Sequence, residues 1–290
     1  MALTVDWEGA YFSPDGLDAL DDFRRETAGV PITHFVSSAY FTKPRPDSTT
    51  VVSLSTAIRT SDELAVHLHA WKSLVQASGI EPKLSPSFLT GTDTLLEFDG
   101  DAGFDTDLDV YEVPELRALL RTSARLLETI RTPVSRTFRA GGYLGTPKML
   151  QAVYEEGFVV DSSATDRKLL EEQQDGVLPQ RIEELWPKVE PMTQPFAVDV
   201  VGGQLLEMPI AGIADYVSVE ELVGMFESAY AQLQAEPGRD VFVVLGFHQE
   251  TAHEFANRIV EALAAVRRRP ELNDELIFVT MERAASLRAL

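Results

Sequence analysis

Two short stretches far apart in the chain, Thr4-Val5-Asp6-Trp7-Glu8-Gly9 and Val66-His67-Leu68-His69-Ala70-Trp71, carry the densest cluster of residue types that bind metals. Each stretch ends an apolar run typical of a strand, and residues two apart on a strand share a face. Asp6 and Glu8 therefore project as a pair, as do His67 and His69. Two carboxylates and two imidazoles that converge predict a metal site with a base beside it.

The composition is that of a globular protein and restricts its partners. The chain has 290 residues, of which 44% are hydrophobic and 24% charged, enough for one large α/β domain. A formal net charge of -21 repels nucleic acid and anionic lipid, so we expect neither as a partner. Because the chain has no cysteine, His, Asp and Glu are its natural metal ligands.

The amino terminus predicts a cytoplasmic protein. Met1 to Val5 enters a strand pattern at once, without a basic region, an apolar stretch and a cleavage site. No apolar run approaches the length that spans a bilayer. The sequence leaves open whether the chain forms a homo-oligomer.

Strand-like runs alternate with helical patterns, which predicts a parallel sheet, open or closed into a barrel. The predicted strands are Leu3–Val5, Ile32–Val36, Leu64–Leu68, Thr137–Phe138, Phe158–Val160, Leu205–Ile210, Val241–Phe247 and Leu276–Thr280. The clearest helical patterns are Asp15–Thr27, Glu115–Ile130, Ser218–Leu233 and Thr251–Arg268.

Two stretches interrupt this alternation, about 80–112 and 167–201, and are predicted to be insertions within one domain spanning 1–290. Loops of this length in a compact domain are typical of binding loops and lids. The first holds acids that lack the ligand order of an EF-hand, so we interpret them as a solvated loop. These acids are Asp99, Asp101, Asp105, Asp107 and Asp109.

Further reactive residues follow other predicted strands. Arg139, Asp161 and His248 each come at or just after a strand-like run. In parallel α/β sheets and barrels, groups that carry chemistry collect at the carboxyl ends of strands. We therefore expect these three residues on the same rim as the two opening pairs.

Six short motifs follow one another along the chain: Asp6-Trp7-Glu8, His67-Leu68-His69, Phe138-Arg139-Ala140-Gly141-Gly142-Tyr143, Gly157-Phe158-Val159-Val160-Asp161-Ser162-Ser163, Leu206-Glu207-Met208-Pro209-Ile210 and Gly246-Phe247-His248-Gln249. In this order they resemble the motifs of the NodB-type polysaccharide deacetylases, carbohydrate esterase family 4, in the subgroup with an Asp-x-Glu opening. The resemblance spans most of the chain and lies mainly in motif order. It implies a distorted (β/α)7 barrel with a divalent metal at its strand-end face.

The resemblance also implies roles for the rim residues. Glu8, His67 and His69 would hold one divalent ion, with zinc the first expectation and manganese, nickel, cobalt or iron also compatible with such ligands. Asp6 would be the base and Arg139 would orient it. His248 would be the general acid, with Asp161 as the carboxylate that raises its proton affinity.

Aromatic residues near the rim are candidates to pack on a sugar ring, namely Trp7, Trp71 and Tyr143. The function predicted is hydrolysis of an acyl group, such as acetyl, from an N-acylated sugar or glycan precursor. Two alternatives stay open: a hydrolase of a non-sugar linear amide on the same fold, and a catalytically silent barrel that serves as a binding or regulatory module.

Overall fold

The alternating runs form one large sheet in a computed structural model, which describes residues 1–45, 49–130, 132–171 and 176–288. The strands of this sheet are β1 (Ala2–Trp7), β2 (Ile32–Ser37), β3 (Glu63–Leu68), β6 (Val134–Ala140), β7 (Val160–Asp161), β8 (Phe196–Val200), β9 (Gly203–Glu207), β10 (Gly212–Ile213) and β11 (Val244–His248). A separate small hairpin consists of β4 (Glu97–Phe98) and β5 (Asp101–Ala102).

The sheet has the order β10-β11-β1-β2-β3-β6-β7-β9-β8. Neighbouring strands are parallel except for the β8–β9 hairpin. Strands β1, β2 and β3 are buried along their whole length, as expected for parallel strands covered on both faces. The predicted alternation of strands and helices around one mostly parallel sheet is confirmed.

Helices connect many of the strands, and three more follow the last strand. The helices are α1 (Pro14–Glu26), α2 (Thr50–Ala57), α3 (Lys72–Ala77), α4 (Val113–Leu127), α5 (Pro147–Glu155), α6 (Lys168–Glu171), α7 (Val177–Leu185), α8 (Val219–Ala235), α9 (Ala252–Arg267), α10 (Pro270–Asn273) and α11 (Met281–Arg288). Helix α8 begins at the capping box of Ser218 and Glu221, where each side chain accepts the backbone N–H of the other residue.

The predicted strand Leu276–Thr280 is wrong. No strand is assigned to this segment in the part of the chain that the structure describes, although most of its apolar side chains pack against the core. Met1 donates its amino group to the Ile277 carbonyl at 2.8 Å, and the Val279 amide donates to the Met1 carbonyl at 2.9 Å. Both hydrogen bonds go to Met1, the residue before β1, and they do not continue as a ladder along the strand.

The two insertions contact each other over the rim. Arg181 of α7 in the second insertion pairs with Asp107 of the first at 3.0 Å. Asp101, Asp105 and Asp107 are buried, so the prediction of a solvated loop is wrong for these three acids. Asp105, for example, accepts the Ser87 hydroxyl at 2.5 Å and the Leu96 amide at 3.1 Å. Among the described residues, no helix combines the length and the apolar character needed to cross a bilayer.

Candidate active site

The sheet register brings the predicted rim residues together. Asp6 at the end of β1 lies opposite His248 at the end of β11. His67 on β3 lies opposite Arg139 on β6. Because β11, β1, β2, β3 and β6 are consecutive neighbours, their carboxyl ends form one continuous edge.

Glu8, His67 and His69 form a compact group whose ligand-type atoms could hold a metal ion. The Glu8 carboxylate lies 2.5 Å from His69 Nε2 and 3.3 Å from His67 Nε2. The two Nε2 atoms are 3.2 Å apart. Two imidazoles and one carboxylate are a ligand set that zinc and other divalent transition metals accept.

The other ring nitrogens fix the tautomers of both histidines. His67 Nδ1 donates to the Arg139 carbonyl at 3.0 Å, and His69 Nδ1 donates to the Phe104 carbonyl at 2.7 Å. A carbonyl can only accept, so Nδ1 of each ring carries a proton, and each Nε2 faces Glu8 and the other ring. Each Nε2 atom would present a lone pair to a cation bound between them, and the residues therefore fit a bound divalent metal.

The ring of His69 packs against Gly141 and against the ring of Phe104. A Cβ added to Gly141 would lie 2.5 Å from His69 ring atoms, so only glycine allows the ring this position. On the other side, the Phe104 ring stacks on His69 with centroids 4.4 Å apart. The first insertion therefore completes the surroundings of a residue on the rim of the barrel.

The histidines keep Glu8 ionised. Burial alone would raise the Glu8 pKa, but the charges and hydrogen bonds of His69 and His67 hold it well below its usual value. Glu8 is therefore an anion at neutral pH, as a metal ligand must be.

Arg139 fixes Asp6. The guanidinium is fully buried and donates from Nη1 to Asp6 Oδ1 at 2.6 Å and to Thr4 Oγ1 at 3.0 Å. Its Nε and Nη2 atoms donate to the backbone carbonyl and the hydroxyl of Ser162 at 2.9 and 3.0 Å. All three guanidinium nitrogens are engaged, so the orientation of the Asp6 carboxylate is set by a rigid donor.

Asp215, and not Asp161, is the aspartate beside His248. The His248 Nδ1 atom lies 3.1 Å from Asp215 Oδ1, and the His248 amide donates to Asp215 Oδ2 at 3.2 Å. Burial would lower the His248 pKa, but the charge of Asp215 and its hydrogen bond, followed by the charges of Glu8 and Asp6, raise this pKa to about 10. His248 is thus protonated at neutral pH. The expectation that Asp161 pairs with His248 is wrong.

Asp161 does not line the cavity around His248 but lies on β7, opposite Glu207 on β9. Both carboxyls are buried, Asp161 accepts the Ser163 hydroxyl at 2.7 Å, and Glu207 accepts the Ala164 amide at 2.9 Å. Burial raises the pKa of Asp161, and burial together with the Asp161 charge raises the pKa of Glu207 well above its usual value. The two acids therefore form a buried pair outside the cavity lining.

The three aromatic candidates differ in position. Trp7 is fully buried and donates its indole N–H to His34 Nδ1 at 3.1 Å, and Trp71 is fully buried and donates to the Glu8 carbonyl at 2.9 Å. Contact of either tryptophan with a substrate is not compatible with this burial. Tyr143 does line the cavity, with its hydroxyl 3.3 Å from His248 Nε2 and a backbone φ of 63° that few residues other than glycine adopt.

One cavity of about 420 Å³ is lined by the charged and polar side chains of Asp6, Glu8, His67, His69, Tyr143, Asp215 and His248. Its wall is rich in aromatic side chains from the first insertion, from the loop after β10 and from helix α9, including Phe88, Phe98, Phe104, Tyr216 and Phe255. Leu178 of α7 also lines it, so both insertions contribute to the wall.

Sequence reasoning missed two acids of this cavity. Asp215 follows β10, which has only two residues and gives no recognisable strand pattern. Glu250 comes two residues after His248, the same spacing as Asp6 with Glu8 and His67 with His69, and this signal was present in the sequence. Glu250 accepts the Glu8 amide at 3.2 Å and the Tyr40 hydroxyl at 2.8 Å. Burial and the Glu8 charge raise the Glu250 pKa to about 7.

Solved structures share this fold over almost the whole chain. One from Mycobacterium smegmatis, assigned to the polysaccharide deacetylases, covers 99% of this chain and 89% of its own, with a TM-score of 0.56 and 17% identity. This chain has the polysaccharide deacetylase fold. The chitin deacetylase of the fungal pathogen Colletotrichum lindemuthianum covers 97% of this chain and 85% of its own, with a TM-score of 0.48 and 11% identity.

A structure with a different reaction also shares the deacetylase fold. The 4-alpha-glucanotransferase of Thermococcus litoralis covers 98% of this chain but 40% of its own, with a TM-score of 0.50 and 11% identity. No protein-family model matches the chain, and no curated protein matches it in sequence. The fold therefore leaves the reaction open, and function must be argued from the side chains of the site.

Proposed function

We propose that this chain is a metal-dependent hydrolase that removes an acyl group, such as acetyl, from the nitrogen of an N-acylated sugar or glycan precursor. The observation that carries the proposal is the arrangement of three charged groups around one cavity. The Glu8, His67 and His69 cluster is flanked by the Asp6–Arg139 pair and by the His248–Asp215 pair. Asp6, Glu8 and His248 have ligand-type atoms within 4.8 Å of one another.

Amide hydrolysis needs a base for the attacking water, an acid for the leaving nitrogen, and stabilisation of charge on the carbonyl oxygen. Glu8, His67 and His69 would hold the divalent ion, which when bound supplies Lewis acidity to water and to the substrate carbonyl. Zinc remains the first expectation for its identity.

The two flanking pairs have the properties that the proton transfers require. Asp6, held by Arg139, takes a proton from water as the water oxygen forms a bond to the acyl carbon. His248, protonated beside Asp215, gives its proton to the nitrogen as the carbon–nitrogen bond breaks. The products are a carboxylate and an amine, and the site is restored when His248 regains a proton and Asp6 loses one.

Release of acetate from N-acetylglucosamine oligomers by the metal-loaded protein tests the proposal. Asp6→Asn and His248→Ala should each lower kcat by at least about a hundredfold, the usual contribution of a positioned acid or base, while metal content stays near that of the wild type. The matched controls are Asp21→Asn and His253→Ala, which change exposed residues of the same types. Wild-type turnover in either site variant would contradict the assigned roles.

The same assay addresses the alternatives. A protein that binds metal and cleaves linear amides but no N-acylated sugar would be the non-sugar hydrolase. A protein that neither holds metal nor releases any acyl group would be the silent barrel. The cytoplasmic location stays a prediction, and the oligomeric state stays open.

A further inference from the structure

Glu250 is an acid of the cavity that the hydrolytic scheme does not use. The residue is 6% exposed and lines the cavity beside the metal-binding cluster. It accepts hydrogen bonds from the Glu8 amide and the Tyr40 hydroxyl, both of them neutral donors. The hydrogen bond from the Glu8 amide places the Glu250 carboxyl beside the backbone of one of the three proposed metal ligands.

The other carboxylates of the cavity have a charged or ionisable partner. Asp6 pairs with Arg139, Asp215 pairs with His248, and Glu8 contacts His67 and His69. Within the part of the chain that the structure describes, no Lys, Arg or His nitrogen lies within 4.0 Å of Glu250. Only longer-range positive charges, those of His248 and Lys43, act on Glu250, so this buried carboxyl has no direct ion pair and its position favours a ligand that brings a positive charge.

The surroundings of Glu250 suit an ammonium group. Tyr11 and Phe255 line the same cavity, and aromatic faces attract cations. The chain as a whole has a net charge of -21, which raises the local concentration of cationic ligands at its surface. A neutral sugar could also donate a hydroxyl to Glu250, but it would leave the carboxylate without a counter-charge.

We propose that the substrate carries a free ammonium group close to its N-acyl group, and that Glu250 binds this ammonium. The substrate class is then a partly deacylated amino-sugar, in which one nitrogen is acylated and another is free. This inference rests on the proposed function and narrows it. It implies that removal of one acyl group from a sugar with two acylated nitrogens creates a better substrate for the second removal.

Two disaccharides that differ only in carrying amines or hydroxyls at the same positions test the proposal. Chitobiose has two glucosamine units and carries free amines, whereas cellobiose has hydroxyls in their place and the same linkage. Calorimetric titration of each into metal-loaded protein at neutral pH gives the affinities without any turnover. The wild type should bind chitobiose at least about tenfold more tightly than cellobiose, the usual worth of a charge-assisted hydrogen bond.

The variant Glu250→Gln keeps the shape of the side chain and removes its charge, so it should lose most of this preference. Glu254→Gln removes an exposed acid four residues away and should keep it. An amine can also bind the metal ion itself, and this would give a preference for chitobiose that does not depend on Glu250. Retention of the preference in Glu250→Gln would therefore overturn the proposal. Equal affinity of the wild type for both disaccharides, or binding of neither, would overturn it as well.

A measurement on the wild type alone covers the case in which Glu250→Gln does not fold. The preference for chitobiose should shrink as salt is added if it depends on charge, and a preference insensitive to salt would contradict the proposal. Failure of this inference is distinct from failure of the proposed function. A protein that releases acetate from neutral N-acetylated sugars but shows no preference for the amine would refute the ammonium site alone.

Discussion

At the scale of single residues, each acid and base of the cavity has its charge set by a neighbour. Glu8 is held ionised by two histidines, and His248 is held protonated chiefly by Asp215. Asp6 is oriented by Arg139, whose other donors are fixed by Thr4 and Ser162. The chemistry therefore depends on partner residues as much as on the groups that would touch a substrate.

Replacement of Asp215 by Asn should move the alkaline limit of activity to lower pH. The His248 pKa is raised to about 10, so a general acid at this position stays protonated until the pH approaches that value. Without the aspartate charge the pKa falls, and the alkaline limb of the kcat/KM profile should move down by at least about one pH unit. The exposed Asp18→Asn variant is the control. A limb at the same pH in Asp215→Asn would show that another group controls it.

The residues that end long strands could be predicted from the sequence, and those after short strands could not. The sequence placed Asp6, Glu8, His67, His69 and Arg139 on one rim because their strands have clear apolar patterns. Asp215 follows a strand of two residues, so Asp161 was assigned its place beside His248 in error. The catalytic and metal-binding roles themselves stay predictions.

At the scale of elements, the first insertion is fastened to the barrel by a buried acid. Asp101 accepts the amide and the hydroxyl of Ser73 on α3 at 3.1 and 2.6 Å. Its Oδ2 atom also lies 3.7 Å from Lys43 Nζ, and Lys43 packs over the Trp71 ring. Because Trp71 donates to the Glu8 carbonyl, this anchor is continuous with the candidate metal site.

Loss of this anchor should destabilise the protein. Asp101→Asn leaves the buried Lys43 ammonium without its nearest anion, and we expect the free energy of unfolding in urea to fall by about 3 kcal/mol. Asp99→Asn changes an exposed acid of the same hairpin and should be nearly neutral. If both variants unfold at the same urea concentration, the anchor does not contribute as described.

Element boundaries show where pattern reasoning fails. Strands β1, β2 and β3 were predicted to within about two residues, because burial on both faces requires continuous apolar runs. Leu276–Thr280 has the same composition but lies against Met1, where a ladder cannot continue. The buried acids of the first insertion gave no sequence signal that distinguishes them from solvated ones, since their partners come from distant positions such as Ser73 and Arg181.

At the scale of the whole molecule, the order of short motifs along the chain was enough to predict the fold. Parallel strands with intervening helices bring the motif ends to one edge, and this topology is observed. Neither composition nor fold determines the reaction, because a deacetylase and a glucanotransferase share this architecture. The proposed hydrolase activity therefore depends on whether Glu8, His67 and His69 bind a metal.

Metal analysis by mass spectrometry of protein purified without chelator tests this most directly. The wild type should hold about one transition metal per chain, either as purified or after addition of zinc or cobalt. His69→Ala removes one of three ligands and should lose nearly all of it, whereas His253→Ala, a change at a histidine exposed on α9, should retain it. A wild-type protein that holds no metal and takes up none from added zinc or cobalt would contradict the central claim.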